Sequence, residues 1–432
     1  MAEDDIYGNK KRYEHFVADF RNIIACAGND GRSKYVCKHK PNLEYYLKLF
    51  NHFGARDLSF IRRLRIIQCV KFAGNFFVKD FAECDRDDMD ALMAAMHQVY
   101  NTPQSKETFI RELKLVWKVL FPEKDEKGRP DGTLVPYAVR HISPKIDKSR
   151  QKMRKDKFSH EEFESLVGYF GKDPRIQAFL TLSLESLARP QELLYVKLED
   201  VKLFDNYAKI YISEHGKEGT GLIQCIDSFP YLAKWLSIHP NKANKQSFLF
   251  VNIGTTNALK QLKPNNVNKF IRTACKNLGI IKPVTCYSLK RNGVTIRRLR
   301  GESDMEIQHA ARWTSTSQLK TYDLSSQDEA FKKELQRRGL LAGDSKGQEG
   351  LGTRTCAFCN TAAGFDETVC QNCKRPLDRQ VIVEEAKQKD VEIQHLQQQV
   401  QFLNDQFASM KKQMMLEMMA LVDQKQKATQ TP

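Results

Sequence analysis

Residues Gln308–Ser325 read QHAARWTSTSQLKTYDLS, which places Tyr322 nine residues after Trp313. Taken singly, each aromatic has a plain reading: a tyrosine on a half-buried helix and a tryptophan in a core. Three stretches upstream change the weight of both. TCYSLKRNGVT (Thr285–Thr295) sets Lys290 23 residues before Trp313, with Arg291 beside it and Tyr287 three residues earlier. YAKIYIS (207–213) and GLIQCI (221–226) are short β-rich runs, and the HGKEGT loop between them, bearing Lys217, predicts a hairpin. LARPQELLYVKLEDV (187–201) reads as a helix with Arg189 just before a proline at an early helical position.

Around these stretches the 432 residues are too many for one ordinary domain. Hydrophobic residues make up 41%, which excludes wholesale disorder. No apolar run is long enough for a spanning helix, and the charged start MAEDDIYGNKKRYEHF lacks the apolar centre of a secretory signal. A reducing, cytoplasmic setting is therefore expected. The formal charge is +16, which speaks to partners more than to fold. KIDKSRQKMRKDK (145–157) holds seven basic residues and two acidic ones, enough to displace several counterions from a DNA backbone.

The pattern divides the chain as follows. Residues 1–34 form a polar segment with one helix near Tyr13–Cys26. Residues 35–130 are all-helical, because LEYYLKLFNHF, LSFIRRLRIIQCVKFAGNFFV, MDALMAAMHQVY and ETFIRELKLVWKVLF repeat apolar positions at three- and four-residue steps. A basic linker spans 131–157. A second domain over 158–340 opens on SHEE, where Ser159 and Glu162 make a capping box, and it mixes helices with the hairpin; FLFV (248–251) is a candidate further strand. Residues 341–353 are a flexible linker by composition, 354–378 hold a cysteine cluster, and 380–425 one long helix.

The ordered set Arg189, Lys217, Lys290, Trp313 and Tyr322 resembles the tyrosine recombinases, or phage-type integrases, archaeal integrases in particular. The resemblance covers about 156–335, with the preceding helices matching the family's core-binding domain. It implies a mostly α fold with a small β-hairpin: an all-helical DNA-binding domain followed by an α+β catalytic domain. In the family an arginine stands in a phrase like LRxxEL, matched by Arg189 in LARPQELL. A hairpin lysine is matched by Lys217, and a nucleophilic tyrosine nine residues after a His or Trp by Tyr322. The family's HxxR box is here Tyr287-Ser288-Leu289-Lys290, so two of its positions depart from the pattern.

The implied chemistry is site-specific DNA recombination or integration through a 3′-phosphotyrosyl intermediate. A tyrosine hydroxyl attacks phosphorus and splits one exchange into two steps. With a free pKa near 10 it needs a base or a strongly cationic site to ionise. Arginine forks match phosphate oxygens, and Lys217 is the expected general acid for the departing 5′ oxygen. Lys290 is a compact charge with no fork, so Lys290 is expected to supply the second phosphate contact, Tyr287 a hydrogen bond and Arg291 a DNA-backbone contact. Trp313 is expected to pack beside Tyr322 and offer its indole N–H. Arg297, Arg298, Arg300 and Arg312 are expected backbone contacts, and His309 is taken as structural. No cofactor is needed for this reaction. The alternatives are a decayed DNA-binding regulator and a type IB-like topoisomerase. Neither the DNA site nor the choice among integration, excision, inversion and dimer resolution is written in these residues.

Cys356, Cys359, Cys370 and Cys373 form two CxxC knuckles ten residues apart, a zinc-ribbon-like pattern that fits a closed structural zinc site. A redox pair or free thiols are the alternatives; the other seven cysteines are read as buried thiols. Farther on, Ile382, Ala386, Lys389, Ile393, Leu396, Val400, Leu403, Phe407, Met410, Met414, Glu417 and Leu421 follow alternating four- and three-residue steps. Ten of these twelve are apolar, which predicts a coiled coil. Double-stranded DNA, a homotetramer on two duplexes and a protein gripped by that helix are the partners expected.

Overall fold

The computed structural model describes residues 5–25, 37–145, 155–212, 220–255, 257–341 and 354–428. The run 213–219, with Lys217, lies outside the described residues, as does most of the basic run 145–157. Two compact units separate, Met1–Lys155 with Lys263–Asn265, and Asp156–Leu262 with Asn266–Pro432.

The first unit is helical. It comprises α1 (Asn9–Ala25), α2 (Leu43–Ala55), α3 (Phe60–Phe76), α4 (Arg86–Val99) and α5 (Pro103–Leu120). A two-residue ladder of β1 (Glu123–Lys124) and β2 (Pro130–Asp131) and the short α6 (Tyr137–Arg140) close it. Phe20, Tyr46, Phe53, Phe81 and Trp117 are buried in one core, each contributing roughly 2–3 kcal/mol by leaving water. The structure differs from the sequence reading at both ends. Tyr13 and Phe20 of α1 belong to this core, and so do Val139 and Ile142, so neither α1 nor the start of the supposed linker stands apart.

The second unit begins with α7 (His160–Tyr169), capped reciprocally by Ser159 and Glu162. At its centre lies α8 (Pro174–Ser186), almost wholly buried, with Arg175, Gln177, Thr181 and Ser183 enclosed alongside its apolar residues. Leu187 takes a left-handed backbone (φ 53°) and ends α8; α9 (Pro190–Leu194) is a single short turn. The helix expected over 187–201 thus stops at Leu194. The chain leaves it because Leu249 N–H donates to the Val196 carbonyl (2.7 Å) and Leu198 N–H to that of Ser247 (2.9 Å). Next come β3 (Val201–Leu203), β4 (Ala208–Ile212) and β5 (Gly221–Cys225) in an antiparallel sheet of order β3-β4-β5, the hairpin pairing Ile212 with Gly221. FLFV makes only isolated bridges, from Phe248 to Lys197 and from Val251 to Gln261, and is not a strand.

Then follow α10 (Phe229–Ser237), α11 (Pro264–Asn277), α12 (Cys286–Arg300), α13 (Asp304–Ala310), α14 (Leu319–Tyr322) and α15 (Gln327–Arg337). Both α10 and α12 pack on α8. The cysteine module has a ladder of β6 (Arg354–Thr355) and β7 (Ala362–Ala363) and leads into α16 (Arg379–Ala428), 50 residues of helix. No described helix is long and apolar enough to cross a membrane.

Candidate active site

Gly293 allows α12 to lie directly on the end of α8. A Cβ there would sit 2.1 Å from the Leu184 carbonyl oxygen and 2.7 Å from Leu187 Cδ2. This contact sets Lys290, one turn earlier on α12, at the level where the chain turns from α8 into Arg189. The Glu185 carboxylate braces the same end of α8 by accepting from the N–H groups of Ile226 (2.7 Å), Asp227 (3.0 Å) and Ser228 (2.8 Å).

Arg189 is buried just before α9. Its backbone N–H donates to Glu192 Oε2 (2.8 Å), and its guanidinium reaches Glu192 Oε1 (3.4 Å). Glu192, with a side chain wholly removed from solvent, also takes Arg312 Nη2 at 2.6 Å. Arg312 has a left-handed backbone (φ 55°), which sends its side chain toward Glu192 while the next residue, Trp313, turns into the core formed by Leu187, Val294, Ile307 and Leu319. The Trp313 and Tyr322 ring centroids are 5.3 Å apart. Lys290 Nζ lies 5.3 Å from the first and 5.2 Å from the second. Lysine ammonium groups at this range are attracted by the ring faces. The Trp313 indole N–H is buried with no hydrogen-bond partner among the described residues. Tyr287 donates its hydroxyl to Gln191 Oε1 on α9 (3.3 Å).

Lys290, Trp313 and Tyr322 are thus in contact, and Arg189 joins them through Glu192 and Arg312. Arg291 is engaged elsewhere. Its guanidinium clasps Asp156 (Nε–Oδ2 2.9 Å), which also accepts from Ser288 Oγ (2.8 Å), while Asn292 Nδ2 holds the Asp156 carbonyl (2.9 Å). Burial opposes ionisation of Asp156, but the bonds from Arg291 and Ser288 outweigh it and hold its carboxyl below the usual range. Arg291 therefore anchors the domain's first residues. Arg297 likewise binds Glu302 (2.8 Å) and the Glu185 carbonyl (2.9 Å), and Arg298 pairs with Asp304 and Asp323. Sequence reasoning missed Glu192 and Asp156; the three-residue step from Arg189 to Glu192 was the one available signal.

In the cysteine module the Cys356–Cys373 and Cys359–Cys370 sulfurs are 3.5 and 3.6 Å apart, and all four lie within 4.8 Å of one another. Four thiolates at the zinc–sulfur distance would stand ~3.8 Å apart, so the cluster is compatible with a tetrahedral ion. Hydrogen bonding to Thr361 lowers the Cys359 thiol to about 6. The module is fixed to the domain by Asp366, which accepts from Tyr231 Oη (2.7 Å) and from Gln177 Nε2 (2.9 Å) on α8. The six other described cysteines are buried free thiols.

Residues 157–329 match the phage integrase family. They form a phage integrase domain. Among solved structures, the XerH site-specific recombinase bound to a palindromic difH substrate, in a post-cleavage complex, is 15% identical (TM-score 0.51). That match covers 74% of this chain and 92% of the other. A lambda integrase dimer bound to a COC′ core site is also 15% identical (TM-score 0.51), covering 65% and 76%. These likenesses are of fold. No curated protein matches the chain. The integrase domain contains every candidate catalytic residue, whereas the cysteine module and α16 lie beyond the matched residues.

Proposed function

We propose that the chain is a site-specific DNA recombinase that cuts and rejoins DNA through Tyr322. The observation that carries this reading is the contact of Trp313, Tyr322 and Lys290, with Arg189 reached through Glu192 and Arg312. The Tyr322 oxygen attacks the scissile phosphorus and its proton passes to water. The bond to the 5′ oxygen breaks as a 3′-phosphotyrosyl bond forms, and Lys217 protonates the departing oxygen. Arg189 presents its fork to the nonbridging oxygens, which gain charge in the transition state. Lys290 supplies a second positive charge beside the nucleophile, and Trp313 donates its indole N–H to the same phosphate. Tyr287, beside Gln191, is available for a further hydrogen bond. The second strand exchange reverses these steps, so phosphodiester energy is conserved.

The helical unit binds the duplex in this reading, as the complexes of XerH and lambda integrase with DNA support. The work is done at chromosomal DNA, in a reducing cytoplasm. Cys356, Cys359, Cys370 and Cys373 would hold a structural zinc ion that ties their loops together and takes no part in catalysis. The apolar seam of α16, with Ile393, Leu396, Val400, Leu403 and Phe407 all exposed, would associate with the same helix of another protomer as a coiled coil, consistent with a recombining tetramer.

A nicked suicide substrate tests the catalytic core. The parent protein should form a denaturant-stable adduct that Tyr322→Phe cannot form; equal signals from both proteins, adduct or none, would refute the assignment.

A further inference from the structure

The buried cations of the integrase domain include one with no task in this chemistry. Resting on the recombinase reading, we propose that Arg312 is a second phosphate-binding guanidinium of the active site, held beside Arg189 by their shared carboxylate, Glu192. Both guanidiniums meet Glu192, whose side chain is fully enclosed. Position 290 carries lysine, which cannot present two parallel N–H groups to phosphate oxygens, whereas Arg312 can.

The backbone is built around this side chain. A non-glycine residue at φ 55° costs free energy, yet position 312 holds an arginine. That conformation separates the two neighbours, sending Trp313 to the Tyr322 ring and Arg312 to Glu192. The sheet makes room for it: a Cβ at Gly221 would lie 2.5 Å from Arg312 Cδ. Gly221 opens β5, immediately after the hairpin loop that carries Lys217. Arg312 therefore packs against Gly221 along its stem, holds the Glu192 carboxylate at its tip and adjoins the ring partner of the nucleophile through its covalent neighbour.

The test compares the full-length parent, Arg312→Gly and Arg312→Lys on two nicked suicide duplexes, one with an ordinary scissile phosphate and one with a neutral methylphosphonate there. Glycine tolerates the left-handed backbone, so Arg312→Gly should keep a folded domain; Arg312→Lys carries the same comparison if it does not. On the phosphodiester, Arg312→Gly should trap about a hundredfold more slowly or worse, with Arg312→Lys in between. On the methylphosphonate, which has no charge to neutralise, the deficit should shrink at least about tenfold. Trapping at the parental rate, or an equal deficit on both duplexes as a packing defect would give, overturns the proposal alone. Failure of the parent to form any adduct overturns the recombinase reading, and this assignment with it.

Discussion

Replacing Gly293 by alanine tests how α12 is seated on α8. In an exposed helix the change would stabilise by up to about 1 kcal/mol through propensity. Here the added carbon would lie 2.1 Å from the Leu184 carbonyl oxygen, where an ordinary carbon–oxygen contact is about 3.3 Å. The helices must part by at least about 1.2 Å, against backbone that cannot rotate away. Overpacking of this kind costs about 3 kcal/mol, so the net loss is near 2 kcal/mol. For a unit of this size that is a fall of roughly 4–8 °C in Tm. Because Lys290 rides on α12, an ångström of displacement should also slow covalent trapping by up to about a hundredfold. Gly168 on α7, with open space around its Cβ position, is the matched control, and alanine there should stabilise by about 0.5 kcal/mol. Calorimetry and trapping read both variants. A Gly293→Ala protein that melts at or above the parent's temperature would refute this account of the helix seat.

Asp156→Asn, which leaves the Arg291 guanidinium without its carboxylate, should destabilise by roughly 3 kcal/mol or more at neutral pH. Since the native Asp156 carboxyl is held below its usual value, its contribution is complete above about pH 4 and disappears as pH falls through the lowered value; denaturation curves of parent and variant that fail to converge in acid would count against it. Metal analysis should find one zinc per chain, lost in Cys356→Ser together with hydrogen-exchange protection around Tyr231; full zinc in that variant would exclude the four-thiolate site. Leu403→Glu should abolish self-association of the full chain in sedimentation, and a parent that sediments as a monomer at tens of micromolar removes the coiled coil.

Local signals were legible in the sequence where a single physical rule governed them. Ser159 and Glu162 cap α7, the apolar steps over 43–121 form helices, and Ala208–Ile212 pairs with Gly221–Cys225. Long-range contacts were not. Over 187–201 the apolar spacing favoured one helix, but bonds to a segment some fifty residues away bent the chain into a turn and a strand. Asp156 was hidden as one carboxylate among cations, and its partner 135 residues on could not be inferred from either neighbourhood. Arg312 read as one more DNA-backbone contact because a left-handed backbone at a non-glycine residue leaves no compositional trace.

The 50-residue helix α16 starts six residues after Cys373, in a module that Asp366 fastens to α8. At 1.5 Å per residue its far end is about 75 Å along the rod from that fastening. Whatever grips the distal methionines is kept within that radius of the integrase domain, and a second encounter then proceeds at a local concentration set by the rod rather than by the abundance of either molecule.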